Sequence, residues 1–220
     1  MIGVHFKRED KKKTMKQSVK VILASGSPRR KELFERIGIV FSVIKSDEEE
    51  VITKVDPAEV VRELAEQKAR AVAKRILEAD FSNENTLIVG ADTVVVSEGR
   101  ILGKPKDEED ALSILMSLSG KEHFVYTGVC ALLLDERGTI KEDKSFSFAD
   151  ETAVVMYPFM EEEALAYIKT GEPMDKAGAY GIQGIGTCLV KEIRGSYENV
   201  MGFPMASFFR LACQKNFFRL

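Results

Sequence analysis

The hydrophobic positions of the chain fall into short aliphatic runs that alternate with segments of helical spacing. The runs are typical of buried strands and cover residues 19–24, 39–44, 86–90, 94–96, 124–134, 144–157 and 187–193. Ala91, Asp92 and Thr93 separate two of these runs, so a break in the sheet is expected there. The alternation of strands and helices predicts an α/β fold in which helices flank a mixed sheet.

Helices are predicted where apolar residues recur at intervals of three and four between capping and stop signals. They are expected after Ser27, over 57–78, 108–118 and 161–169, and after Pro204. Asp56 and Asp107 are the expected N-caps of the second and third of these helices. In the longest helix, the apolar arc consists of Val60, Val61, Leu64, Val72 and Ile76. Lys68 lies near the middle of that arc, where a lysine must extend along the surface to solvent, pair with an acid or reach a cleft.

Composition and charge narrow the class of protein. The 220 residues include 32 Lys and Arg against 35 Asp and Glu, a net charge of −3, whereas general nucleic-acid binding usually needs a basic face. No stretch approaches the ~20 apolar residues of a membrane span. Cys130 and Cys188 lie in apolar runs and are expected to be buried, and the three cysteines have no metal-site spacing. A reducing cytoplasm is therefore the expected location.

The basic segment 1–17 is predicted to be a flexible extension, followed by a single domain over residues 18–220. The segment lacks the apolar run of a signal peptide. Charge runs of this kind are usually solvated tails, and the alternative is a weak contact with an anionic partner.

The segment ASGSPRR, residues 24–30, joins the first predicted strand to the first predicted helix. A helix N-terminus presents free N–H groups and the positive end of a dipole to an anion. Ser25, Arg29 and Arg30 would suit a polyphosphate, because arginine can bind phosphate through two hydrogen bonds at once. The alternative is a capped helix with solvated arginines.

Carboxylates occur at two places where chemistry is plausible. Asp92, in GADT, would serve as a general base or as a ligand of Mg²⁺, and the alternative is a turn-forming aspartate. Glu48, Glu49 and Glu50 follow the second predicted strand, and the alternative for them is a solvated charge run.

A glycine-rich segment, residues 171–186, contains Asp175 and Lys176, and Lys104 lies in GKP after the Asp92 region. The sequence contains no Walker motif and no Ser-His-Asp arrangement, since His5 and His123 are its two histidines. Separated cations with a few carboxylates suit metal-assisted hydrolysis of a phosphoanhydride.

Together these motifs resemble those of the Maf family of nucleoside triphosphate pyrophosphatases. The resemblance runs from about residue 19 to residue 212 and rests on ASGSPRR, LAEQKA around Lys68, GADTVV, GKP, TGV and GEPMDKAGAYGIQG. It implies a fold similar to inosine triphosphatase-type enzymes, with two lobes and a central cleft. It also implies hydrolysis of a nucleoside triphosphate to the monophosphate and pyrophosphate with a divalent cation, Mg²⁺ or Mn²⁺, and leaves a homodimer open.

The same resemblance assigns roles to individual residues. Asp92 matches the catalytic proton acceptor and, together with Glu49, a metal ligand, although SDEEE offers several registers for the second acid. The positions associated with substrate choice are matched by Arg29, Thr93 and Gln183, as in the branch that acts on dTTP and UTP and extends to modified pyrimidine nucleotides. Phosphate contacts are implied for Ser25, Arg30, Lys68, Lys104 and Lys176. The alternatives are hydrolysis of 7-methyl-GTP or another non-canonical nucleotide, and a non-enzymatic, nucleotide-binding regulator of septum formation.

Overall fold

A computed structural model describes residues 15–79 and 84–219. The strands are β1 (Lys16–Gln17), β2 (Lys20–Leu23), β3 (Phe41–Val43), β4 (Thr86–Ser97), β5 (Arg100–Leu102), β6 (Glu122–Leu134), β7 (Phe146–Met156), β8 (Val190–Arg194) and β9 (Phe218–Arg219). The α-helices are α1 (Pro28–Arg36), α2 (Pro57–Glu78), α3 (Glu108–Leu118), α4 (Glu161–Ile168), α5 (Tyr197–Val200) and α6 (Met205–Gln214). Three 3₁₀ turns follow α4, at Glu172–Asp175, Ala177–Ala179 and Ile185–Leu189.

The main sheet has seven strands and is mixed. Its order is β3-β2-β4-β6-β7-β8, and β5 pairs with β4 beside this path. The pairs β2–β3 and β2–β4 are parallel, whereas the remaining neighbours are antiparallel. The predicted α/β class with a mixed, helix-flanked sheet is confirmed.

The prediction of a break at Ala91, Asp92 and Thr93 is wrong. Strand β4 runs unbroken through these residues and pairs with β6 along its length, with Asp92 opposite Gly128. The discontinuity lies along the other edge of β4, where one neighbouring strand ends before the next one begins. There, β2 ends with Leu23 opposite Val89, and β5 begins to pair only at Val95. The intervening edge of β4 is therefore open, and this opening is the floor of a cleft.

Two lobes meet at this opening. In the first lobe, Val89 joins a core formed with α1 and α6, and Ile88 joins a core formed with α2 on the other face. In the second lobe, Val95 joins a core formed with α3 and α4. Since β4 and β6 run through both lobes, the expected two-lobed arrangement with a central cleft has a continuous sheet as its base.

Two glycines allow α2 to approach the sheet at backbone distance. A Cβ atom at Gly128 would lie 2.2 Å from the carbonyl oxygen of Val61, and one at Gly90 would lie 2.1 Å from that of Ala65. Gly90 and Asp92 share a face of β4, because side chains alternate along a strand. The close packing therefore brings α2 beside Asp92.

Several local predictions need correction. Lys16 and Gln17 pair with β9, so these two residues belong to the fold rather than to the extension predicted over 1–17; residues 1–14 of that extension lie outside the described residues. The strand predicted over 187–193 is a 3₁₀ turn up to Leu189. Cys188 is exposed, whereas Cys130 is buried as expected and burial raises the pKa of its thiol to about 12.

His123 is fully buried in the second lobe and makes stability depend on pH. Its Nε2 atom contacts the hydroxyl of Tyr180 at 2.8 Å, and burial lowers its pKa to about 4. The unfolded chain, with a histidine pKa near 6.5, therefore binds the proton first as the pH falls. This contribution to stability is present above about pH 6.5 and is lost on the way down to pH 4.

Between pH 7 and pH 5, we expect His123 to lower the free energy of unfolding by about 2 kcal/mol. Urea denaturation of the wild type and of His123→Gln at both pH values gives the free energy of unfolding that each protein loses between pH 7 and pH 5. The wild type should lose more, and the difference between the two losses is the contribution of His123. Equal losses in the two proteins would contradict the assignment.

Candidate active site

The cleft at the open edge of β4 has a volume of about 780 Å³ and is rich in charge. Its lining includes six cationic side chains, Arg29, Arg30, Lys45, Lys68, Lys104 and Lys176, and four acidic ones, Glu32, Asp92, Glu172 and Asp175. All predicted site residues except Glu49 line it, including Ser25, Thr93 and Gln183. A cationic cleft in a chain of net charge −3 concentrates anions locally.

A lysine between two carboxylates forms the centre of the site. Lys68 donates a hydrogen bond to Oδ1 of Asp92, and its Nζ atom lies 3.0 Å from Oε1 of Glu50. The side chains of Lys68 and Asp92 are only 17% and 15% exposed. Of the three alternatives for Lys68, the structure therefore combines two, because the lysine pairs with acids and also reaches the cleft.

The acid that the loop brings to this centre is Glu50. The carboxylate of Glu49, the predicted metal ligand, forms no hydrogen bond or ion pair with any described residue. Within SDEEE, the acid that contacts Lys68 is therefore one position after the predicted one, and the metal-binding role itself stays a prediction. Sequence spacing could not select the register, because the loop between β3 and α2 has no regular secondary structure.

Arg30 has a different environment from the one predicted. Only 9% exposed, it donates to the carbonyl oxygens of Gly202 and Ala91 at 2.8 and 2.9 Å, and to the hydroxyls of Ser25 and Thr93 at 3.0 and 3.1 Å. Four of the five N–H groups of its guanidinium thus bind the protein itself. Burial lowers the pKa of Arg30, although the nearby charge of Asp92 opposes this. Arg30 thus fastens α1 to the open edge of β4. It also lines the cleft and keeps one N–H group free of protein partners, so its contact with phosphate stays a prediction.

Thr93 is held from two sides. Its hydroxyl accepts the hydrogen bond from Arg30 and lies 2.9 Å from the hydroxyl of Thr127, which in turn donates to the carbonyl oxygen of Asn199. Asn199 is fully buried and binds the carbonyl oxygen of Val125. The rotamer of Thr93 is therefore fixed by a polar network beneath the cleft.

The first helix begins at the cleft, as the sequence suggested. Ser27 occupies the N-cap position and Pro28 follows, but the Ser27 side chain makes no capping hydrogen bond, and the first turn contains no acid. The hydroxyl of Ser25 accepts from Arg30 and from the backbone N–H of Ser27. The first-turn N–H groups of α1 consequently lack a side-chain acceptor from Ser27 and suit an anion.

Arg29 of α1 and Lys176 of the glycine-rich segment share an acid across the cleft. Asp175 accepts from Arg29 at 3.3 Å and from Lys176 at 2.6 Å. Burial by itself would raise the pKa of Asp175, but its hydrogen bond to Lys176 and the charges of Lys176 and Arg29 lower it overall. A pair of cations thus bridges the two sides of the cleft through one carboxylate.

Glu172 organises the glycine-rich segment. Its carboxylate accepts from the hydroxyl of Tyr167 and from the backbone N–H groups of Ile185 and Gly186, at 2.8, 2.8 and 3.2 Å. Burial would raise the pKa of Glu172, and these hydrogen bonds together with the charge of Lys176 lower it. The segment therefore folds around a charged carboxylate rather than an apolar side chain.

Gln183 lies at the rim of this segment and faces α1. Its Nε2 atom donates to Oε2 of Glu32 at 3.2 Å. Since a carboxylate only accepts hydrogen bonds, Glu32 fixes which end of the amide points towards it. The Oε1 atom, which has no partner among the described residues, is left for a ligand.

Lys45 is a cleft residue that the sequence reasoning missed. It follows β3, and its side chain passes over Gly26, where a Cβ atom would lie 2.5 Å from Cε of Lys45. The signal was available, because β3 pairs in parallel with β2 and the carboxyl ends of parallel strands meet at one edge of a sheet. Lys104 and Lys45 form no ion pair within the described ranges, so both charges are free to meet a ligand.

Over residues 15–79 and 84–219, no group of three or more His, Cys, Asp or Glu side chains could by itself hold a metal ion. Asp92 and Glu50 are two carboxylates that contact the same ammonium group, that of Lys68. None of the helices in the described part of the chain is long and apolar enough to cross a membrane.

Comparison with known proteins gives a consistent set of similarities. The family model described as Maf-like protein matches residues 20–214. A dTTP/UTP pyrophosphatase of Agathobacter rectalis is 48% identical over 196 residues, covering 86% of this chain and 94% of its own. A protein of the same name from Bacillus cereus is 44% identical over 217 residues, covering 98% and 97%.

Among solved structures, a nucleoside-triphosphatase / dITP/XTP pyrophosphatase from Mycobacterium abscessus is 13% identical. It covers 90% of this chain and 95% of its own, with a TM-score of 0.40. The family match over nearly the whole described fold, together with relatives at 44 and 48% identity, is decisive. The chain belongs to the Maf family.

Proposed function

We propose that this protein hydrolyses dTTP and UTP to the monophosphate and pyrophosphate. The observation that carries the proposal is Lys68 in a cleft lined by cations, where it pairs with two carboxylates. Asp92 lines the cleft, and Glu50 contacts Lys68 from outside the lining. Relatives that cover nearly the whole chain and bear the name dTTP/UTP pyrophosphatase support the choice of substrate.

In the proposed reaction, water attacks the α-phosphorus while the bond between the α-phosphorus and the bridging oxygen to the β-phosphorus breaks. The new phosphorus–oxygen bond yields the monophosphate, and the bridging oxygen leaves with pyrophosphate. Asp92 accepts the proton of the water at Oδ2, because Oδ1 is already bound to Lys68. Arg29, Lys104, Lys176 and Lys45 hold the phosphates together with the N-terminus of α1.

The donor set fits a divalent cation. Two carboxylates beside one ammonium group offer hard oxygen ligands, and Mg²⁺ is commonly held by one or two carboxylates together with the phosphate oxygens of the substrate. Asp92 and Glu50 would hold this ion, Mg²⁺ or Mn²⁺. When bound, the cation supplies charge stabilisation to the phosphate oxygens.

The two neighbouring arginines are expected to differ in function. Arg29→Ala should lower kcat/KM about tenfold, mainly through KM, since it removes one charge-assisted contact to phosphate from a side chain on the cleft wall. Arg30→Ala should instead lower the free energy of unfolding by about 2 kcal/mol, because buried carbonyl oxygens of Ala91 and Gly202 lose their donor. Steady-state kinetics and urea denaturation of both variants measure the contrast. A large loss of stability in Arg29→Ala with no change in KM would contradict it.

The choice of base tests the proposed function directly. The free Oε1 of Gln183 can accept from N3–H of thymine or uracil, a donor that cytosine lacks. The wild type should therefore use dTTP and UTP within roughly 10–200-fold of each other and ahead of CTP. Rates of pyrophosphate release for dTTP, UTP, CTP and 7-methyl-GTP give the comparison, and faster hydrolysis of 7-methyl-GTP would overturn the assignment. If the protein hydrolyses none of these nucleotides, the remaining alternative is a non-enzymatic, nucleotide-binding regulator.

The same panel tests the orientation of the amide. Gln183→Glu places a carboxylate against Glu32, and Glu32→Gln removes the group that fixes the amide. Both should lower the ratio of kcat/KM for dTTP to that for CTP about fivefold to tenfold, the value of one net hydrogen bond. Glu35→Gln, one turn further along α1, is the matched control and should leave the ratio unchanged.

A further inference from the structure

The loop that carries Glu50, residues 44–56, is held in an unusual way. We call this segment between β3 and α2 the acid loop. Three of its four aliphatic side chains are turned to solvent, since Val51, Ile52 and Val55 are 59, 58 and 90% exposed. The fourth, Ile44, directly follows β3 and packs against the core beneath α2. Beyond Ile44, burial of apolar side chains therefore contributes little to fixing the loop, and its position must come from polar contacts.

Those contacts come from one face of α2. The amide of Gln67 binds both polar backbone groups of Val51, accepting from its N–H at 3.0 Å and donating to its carbonyl oxygen at 2.6 Å. The carboxylate of Glu63, one turn earlier, accepts from the N–H and the hydroxyl of Thr53 at 2.9 and 2.5 Å. Hydrogen bonds from Thr53 lower the pKa of Glu63, which keeps this group charged and accepting.

These contacts immediately follow Glu50 in the chain. Val51 is its direct neighbour, and Gln67 directly precedes Lys68 on α2. The peptide next to Glu50 and the lysine that meets its carboxylate are thus fixed by adjacent residues of the same helix. At the other end of the loop, Arg75 donates to the carbonyl oxygen of Lys45 at 2.7 Å. One rigid helix therefore sets the position of the loop relative to Asp92.

We infer that Gln67 and Glu63 are positioning residues that hold Glu50 in the centre formed with Lys68 and Asp92. The inference rests on the proposed function for its catalytic consequence, whereas the geometry of the loop is independent of it. Neither residue lines the cleft, and their contacts are with Val51 and Thr53 of the acid loop, so both act through the position of that loop. Outer partners of this kind typically change metal affinity or activity by 10–100-fold.

The experiment compares Gln67→Ala and Glu63→Ala with Glu66→Ala. Glu66 is the matched control, because it lies on the same helix but binds Arg70 at 2.6 Å rather than the acid loop. Calorimetric titration of the nucleotide-free protein with Mn²⁺ should show about tenfold weaker binding in the two test variants and no change in the control. Trypsin cleavage after Lys54 should be faster in both test variants, as expected for a released loop.

Coupling to Glu50 distinguishes positioning from a general structural role. Gln67→Ala should lower kcat about tenfold, and adding it to Glu50→Gln should cost little further, because the group that Gln67 positions is already lost. Losses that multiply, or unchanged Mn²⁺ binding and kcat in Gln67→Ala, would overturn the inference. Should Gln67→Ala unfold, Gln67→Glu tests the same point, because it keeps the acceptor for Val51 N–H and replaces the donor to Val51 O by a charged oxygen. Failure of the wild type to hydrolyse nucleotides would instead refute the proposed function, and the Mn²⁺ and trypsin results would still decide the inference.

Discussion

Replacing Asp92 by Asn is expected to lower kcat for dTTP by ~10² or more, the usual consequence of losing a general base. Asn has nearly the same size as Asp but carries no charge, so it can neither accept the proton nor balance Lys68. Binding of the phosphates should be largely preserved, because the cations of the cleft remain. The measurement is steady-state pyrophosphate release, with the thermal midpoint as evidence of folding.

The matched control is Asp143→Asn, which removes an exposed carboxylate that does not line the cleft. It should leave kcat unchanged. A folded Asp92→Asn protein that retains turnover within a few-fold of the wild type would remove Asp92 from the mechanism.

Adding a single methyl group at Gly128 is expected to lower the free energy of unfolding by about 3 kcal/mol or more, at the upper end of overpacking effects. The new Cβ would meet backbone atoms of α2, with Val61 O and C at 2.2 and 2.3 Å and Arg62 N at 2.6 Å. These atoms cannot rotate away, so the helix must shift. Lys68, two turns further along the same helix, would move with it, and activity should fall as well.

Gly103→Ala is the matched control for this substitution. Nothing lies within 4 Å of the Cβ position at Gly103, so its effect should stay within ±0.5 kcal/mol. Urea denaturation and kcat of both variants provide the test. A Gly128→Ala protein as stable as the control would show that close approach of α2 to the sheet is not what holds the helix.

The sequence by itself determined the elements whose signals are local. The predicted spans 57–78 and 108–118 coincide with α2 and α3, because their caps act within a few residues: Asp56 accepts from Glu59 N and Asp107 from Asp110 N. All five residues of the predicted apolar arc of α2 are buried. Periodicity also identified Lys68 as a lysine in an unusual position, and every residue that the motifs singled out, except Glu49, lines the cleft.

Tertiary structure decided which groups each of these residues contacts. Arg30 binds the carbonyl oxygens of Ala91 and Gly202, which are 61 and 172 positions away in the chain, and no local signal distinguishes it from Arg29. The open edge at Asp92 depends on where β2 and β5 end rather than on β4 itself. Glu50, not Glu49, reaches Lys68 because side chains of α2 hold the acid loop. Helix caps and periodicity are short-range in sequence, whereas hydrogen-bond partners and strand pairing join distant segments, so only the folded chain could assign them.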